Sequence, residues 1–192
     1  KISMKNFPTK LNRHDLFPCP LWITQAPEFV KELDKFSEPF IKEAKKYFKP
    51  MIDERNKNFG NKKDMGYVFH SKTLMQDKNF IPFHQYITLT AKNLLIEMGF
   101  DLSKFDVTLT ESWVQEFAKS GAGHHTLHTH WNGHMSGFYF LKASKLTSRP
   151  VFQDPRPGAL MSGLPLKNIN EITYGSSEIH YNVEPGTMIF FP

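Results

Sequence analysis

Cysteine is nearly missing from this chain. Cys19 is the only one in 192 residues, which excludes a disulfide framework and any cysteine-rich zinc site and makes a reducing cytoplasm the default compartment. Long apolar runs are missing as well. None approaches the roughly 18 residues that span a bilayer, so no membrane segment is expected. The opening stretch, KISMKNFPTKLNRHDLFPCP, lacks the apolar core of a secretory signal. No internal repeat or low-complexity tract interrupts the sequence. Carboxylates are absent from one long stretch: no Asp or Glu falls between Glu116 and Asp154.

Aromatic residues, by contrast, are plentiful. Eighteen Phe, six Tyr and three Trp make up 14% of the chain, too many for a disordered segment. Apolar content of 40% and charged content of 22% are ordinary globular values. A chain of this length fits one domain, able to bury roughly 70% of its unfolded surface. The net charge of +5 is uneven. Residues 1–63 carry +6 and residues 64–192 carry −1, so the basic excess lies in KEAKKYFK and RNKNFGNKK. Such runs are usually solvated faces. No recognition motif accompanies them, so nucleic acid is not expected as a partner.

Helical patterns come first. Phe29, Leu33, Phe36, Phe40, Ala44 and Phe48 recur at helical spacing after Pro27. Pro39 is expected to split this segment, with Ser37 as a new N-cap. RNKNFGNKKDMGY is expected to be a loop. A second helix is predicted from about Phe80 to Met98, with Gly99 as its C′ stop. The period then changes to two. DVTLTESWVQEFA puts Val107, Leu109, Glu111, Trp113, Gln115 and Phe117 on one face of a strand. SGFYFLKA, RPVFQD, SSEIHYNV and GTMIFFP predict further short strands. Helices followed by strands predict an α+β fold, with the helices buttressing one sheet of a sandwich, barrel or jelly roll.

Five of the nine histidines fall within eleven residues: His124, His125, His128, His130 and His134. Imidazole is the commonest transition-metal ligand at neutral pH. On an extended strand, residues i and i+2 share a side. His128 and His130 can therefore reach one metal, with a third ligand from elsewhere and open positions for other molecules. An inert exposed cluster, a structural zinc site and a metal-dependent hydrolase fit the same residues. The shortage of nearby carboxylates argues against the hydrolase.

The segment ESWVQEFAKSGAGHHTLHTHWNGHMSGFYFL, followed by FQDPR and VEPGTMIFFP, resembles the 2-oxoglutarate- and Fe(II)-dependent dioxygenase superfamily. Within it, the likeness is to the small oxygenases of phage and marine bacterial genomes. LFPCPLW at 16–22 and GYVFHSKTL at 66–74 also resemble that group, and residues 112–156 are the sharpest part. The resemblance implies a double-stranded β-helix, or jelly roll, with N-terminal helices packed on one sheet. It implies a single oxygenase-like domain over 1–192: a mainly helical buttress to residue 100, then jelly-roll strands. The family's final strand is expected to lie past Pro192.

Superfamily members commonly hold Fe(II) with His-x-Asp/Glu and a distal His. Carried over, His128 takes the first position and His130 the carboxylate position. A pairing of His130 with Asn132 is disfavoured, because Asn is a poor Fe(II) ligand. The distal His and a 2-oxoglutarate-binding Arg are expected after Pro192, with His180 as a less favoured substitute ligand. Tyr139, Ser136 and Gln115 are candidates for holding the co-substrate. Arg156 and Trp113 are candidates for touching substrate, although D-P-R also reads as a turn closed by Asp154. His124, His125 and His134 are expected to be supporting or exposed. The implied activity uses Fe(II), 2-oxoglutarate and O₂ to hydroxylate an unidentified substrate in the cytoplasm, or the host cytoplasm for a phage protein. A non-catalytic jelly-roll binding module remains the alternative. Exposed sheet edges leave a homodimer open.

Overall fold

The computed structural model describes residues 12–60, 64–130, 133–145, 148–161 and 163–192. The chain enters through strand β1 (Trp22–Gln25) and a 3-10 turn at Pro27–Phe29. It then forms one long helix, α1 (Val30–Asn58). The expected break at Pro39 does not occur. Pro39 and Pro50 both lie inside α1 on its exposed side. The carbonyls of Lys35 and Lys46, which lose their amide partners there, belong to exposed residues, so water can satisfy them. Ser37 is therefore no cap and is buried within the helix. The helix also takes in Arg55–Asn58 from the stretch expected to be loop.

Helix α2 (Ile81–Glu97) follows a 3-10 turn at Lys78–Phe80, whose cap is the Asp77 carboxylate accepting from Asn79 N at 2.9 Å. Its end matches the sequence expectation. Gly99 has φ +97°, Phe100 N donates to Leu95 O and Gly99 N donates to Ile96 O, the paired bonds of a Schellman stop.

Among the described residues, seven strands form three small antiparallel sheets. The first has the order β1, β7 (Thr187–Phe191), β4 (Ser136–Tyr139), with Trp22 opposite Phe190 and Ser136 opposite Phe191. β2 (Val68–His70) pairs with β3 (Gln115–Phe117), and β5 (Val151–Gln153) pairs with β6 (Glu178–His180). A short helix, α3 (Pro157–Met161), opens the connection between β5 and β6. These elements make an α+β fold. Among the described residues the sheets do not close into a barrel, so the expected jelly roll is not drawn as a closed double-stranded β-helix. The strand expected from Asp106 to Ala118 shrinks to β3, with ladder bonds continuing from Ser71 N to Val114 O and from Leu74 N to Ser112 O. The strands β1 and β2 were not expected from alternation. Among the described residues, no helix is long and apolar enough to cross a membrane.

Two faces of these sheets bury against helices. Met188, Phe190 and Tyr139 pack with Phe29, Phe83, Ile87 and Leu94. Tyr67, Phe69 and Ala118 pack on Ile41, Ala44 and Phe48 of α1. Each such side chain contributes about 1.5–3 kcal/mol of burial. Because side chains alternate along a strand, the remaining positions face the other way. They include Ser136, Phe138, Ile189 and Phe191 on the first sheet, and Val68, His70, Gln115 and Phe117 on the second.

Candidate metal centre

The histidine segment leaves β3 through a tight corner. Gly123 lies so close to Tyr67 O that a Cβ there would collide with it. Ala118 N donates to Tyr67 O at 2.9 Å, and Ser148 Oγ donates to Gly123 O at 2.9 Å. These contacts fix the start of the segment beside β2 and β3, and the imidazoles follow in an extended, exposed run.

The rings of His128 and His130 lie 5.0 Å apart, centre to centre. Two imidazoles bound cis to one first-row metal at about 2.1 Å hold their ring centres about 4.5–5 Å apart. The observed separation lies in that range. His128 Nδ1 lies 2.8 Å from Thr126 O. A carbonyl can only accept, so Nδ1 carries the proton and Nε2 keeps its lone pair for a metal. That is the usual way a protein orients a ligating histidine.

Three groups surround the pair. The His125 ring lies 6.0 Å from His128 and 6.1 Å from Phe117, and the Gln115 amide donates to His125 Nε2. Burial, followed by the neighbouring His128, His70 and His124, lowers the His125 pKa, which suits a neutral ring accepting that bond. On the far side, Phe191 lies 5.8 Å from His130 and packs on Phe138 and Phe152. Strand β7 thus ends beside the pair. Toward the open end of the second sheet, the His70 ring meets Trp113 at 5.6 Å. A groove of ≈ 440 Å³ runs there between residues 70–73 and 110–113.

The predicted residues divide between places. Gln115 reaches the histidine segment, but through His125. Ser136 stands opposite Phe191 in register, on the sheet face turned toward His130. Trp113 is 43% exposed on the groove. Tyr139 is not brought to the pair. It alternates to the helix side, and its hydroxyl donates to Ala26 O at 2.6 Å. Burial, with Glu28 adding to it, pushes its pKa up to about 12. Arg156 closes a fork onto Asp154, with Nε to Oδ1 at 2.9 Å and Nη2 to Oδ2 at 2.6 Å. That contact holds the carboxyl down to about 2, as the turn reading of D-P-R expected. His180 Nε2 is held by Glu178 Oε1 at 2.6 Å rather than joined to the pair. Among the described residues no group of three His, Cys, Asp or Glu side chains gathers to hold a metal. Asn132 lies outside the described residues. Sequence reasoning missed His70, whose strand lies far along the chain and carries no pattern of its own.

Residues 111–192 match the family described as "Putative 2OG-Fe(II) oxygenase". No curated protein matches the chain. The matched stretch begins at Glu111, on the strand leading into the groove, and takes in the histidine pair, β4, the Asp154–Arg156 turn and β7. The likeness of this chain to the putative 2OG-Fe(II) oxygenases thus rests on residues 111–192.

Proposed function

We propose that the chain is an Fe(II)- and 2-oxoglutarate-dependent oxygenase that hydroxylates a substrate held above the histidine pair. The observation that carries this reading is the spacing and tautomer of His128 and His130 inside the family-matched stretch. When bound, iron, 2-oxoglutarate and O₂ supply oxidative decarboxylation coupled to hydroxylation. The chain's own part is positional. Thr126 O orients His128, while Gln115 and His125 brace the segment from the β3 side. Phe191 and Phe138 form an aromatic wall on the other side. β7 runs to that wall, so a ligand supplied past its end would enter beside His130.

Ser136 is the remaining candidate on the strand after the pair for a bond to the co-substrate, and Trp113 for a contact with substrate. In this reading the two outward sheet faces are facing walls of a jelly roll, and residues 1–192 form a single domain. With two imidazoles in place of a His and a carboxylate, the site loses one negative charge and should bind Fe(II) more weakly.

The test is an anaerobic titration of the full-frame protein with Fe(II) and 2-oxoglutarate. A visible charge-transfer band should appear, and His128→Ala and His130→Ala should each remove it along with 2-oxoglutarate turnover. No band in metal-loaded protein, or wild-type turnover in both variants, would overturn the assignment in favour of a binding module or a hydrolase.

A further inference from the structure

Helix α2 is apolar on two sides. One side packs on the first sheet through Phe83, Ile87 and Leu94. Among the described residues nothing covers the other side, which still carries Ile81 at 44% exposure, Leu89 at 61% and Ile96 at 51%. A helix apolar all round is ordinarily buried all round. Lys92 and Glu97 are the only charged residues among its seventeen, and Glu97 already accepts from Trp22 Nε1 at 3.2 Å. Covering the outer side therefore strips few ions of water.

The order of side chains indicates what covers it. At 100° per residue, Pro82, Leu89 and Ile96 form a straight line seven residues apart down the centre of the exposed face. Gln85 and Lys92 flank that line on one side, and Tyr86 and Asn93 flank it on the other. Turn this face onto an antiparallel copy of itself, with the two-fold axis at Leu89. Leu89 then meets Leu89, and Ile81 and Pro82 meet Ile96. Gln85 meets Lys92, and Tyr86 meets Asn93. Every apolar position finds an apolar one, and the single cation finds an amide rather than its own copy. An isologous interface requires this self-complementarity, which an unrelated partner would not call for.

We propose that the outer face of α2 is a two-fold interface between two copies of this chain. The helix is about 25 Å long, and one helical stripe buries less than the roughly 800 Å² per partner of a standard interface. The dimer is therefore a micromolar one. Sedimentation or light scattering of the full chain between about 1 and 100 µM should show a shift from one chain mass toward two. Leu89→Lys should hold the protein at one chain mass over that range, with an unchanged circular dichroism spectrum because Leu89 is exposed. Leu89→Cys in a Cys19→Ser background should form an interchain disulfide under mild oxidation, since the axis brings both copies of that position together. A monomer throughout, a dimer that survives Leu89→Lys, or a dimer whose Leu89→Cys variant does not cross-link would overturn the interface.

Discussion

Tyr139 shows how much one residue's direction decides. Its neighbours Phe138 and Phe140 alternate with it, and the register with Met188 turns its ring toward Phe29 and Phe83. Tyr139→Phe should remove the bond to Ala26 O and destabilise the fold by about 1 kcal/mol. The 2-oxoglutarate dependence of turnover should be unchanged. A raised requirement for 2-oxoglutarate would instead return the hydroxyl to the site. His84 is a second case. It is 9% exposed, stacks on Phe80, and places Nε2 3.2 Å from Ser112 Oγ. Burial lowers its pKa below the ordinary 6.5. As pH falls below about 6.5, the unfolded chain gains a proton that the folded chain resists. The stability is whole above that pH and declines below it, toward the folded value. His84→Gln should flatten urea-derived stability against pH in that window; an equally steep fall would place the acid sensitivity on other histidines. The histidine pair was legible at this scale because i and i+2 share a side on any extended chain. The side to which Tyr139 turned was not, because it depends on which strand lies opposite.

Among the elements, α1 departs furthest from expectation. Proline inside a helix costs about 3 kcal/mol at an ordinary interior site, and that favoured a break at Pro39. The packing of Leu33 and Phe36 on one stretch and Ala44 and Phe48 on the next offsets it, while the prolines stay on the solvent side. Pro39→Ala should therefore raise stability, by about 1–3 kcal/mol, read as a higher melting temperature. A lower one would mean that the packing needs a bend there. α2 and its glycine stop were readable because the cap chemistry is local. β4, β5, β6 and β7 were readable as short apolar runs between turns. β1 and β2 were not, since three or four residues without clean alternation carry no periodic signal and gain their strand character from β7 and β3.

At the scale of the whole molecule, three ion pairs among the described residues tie α1 to β3 and to the segments after β2 and β4: Lys45 to Glu116 at 2.6 Å, Lys72 to Glu43 at 2.8 Å and Lys142 to Asp34 at 2.8 Å. Pairs this exposed are worth about 0–1 kcal/mol each, and salt screens them. Raising sodium chloride to about 0.5 M should lower the melting temperature by no more than about 3 °C. A larger fall would give the pairs a structural role that burial otherwise fills. The α+β class was legible from the order of helical and alternating patterns. How the sheets divide was not, because it rests on pairings between residues distant in the sequence, above all Trp22 with Phe190.

β7 lies at the centre of its sheet with a different neighbourhood on each side. Met188 and Phe190 belong to the foundation, whereas Phe191, with Ser136 and Phe138 beside it, faces the histidine pair. A strand used in this way is a party wall. The room can be repapered at Phe191 without touching the buried masonry of Thr187–Phe190, so tolerance to substitution should rise at the last residue of β7. Variants at Met188, Ile189 or Phe190 would change whether the protein stands, and those at Phe191 would change what lies beside His130.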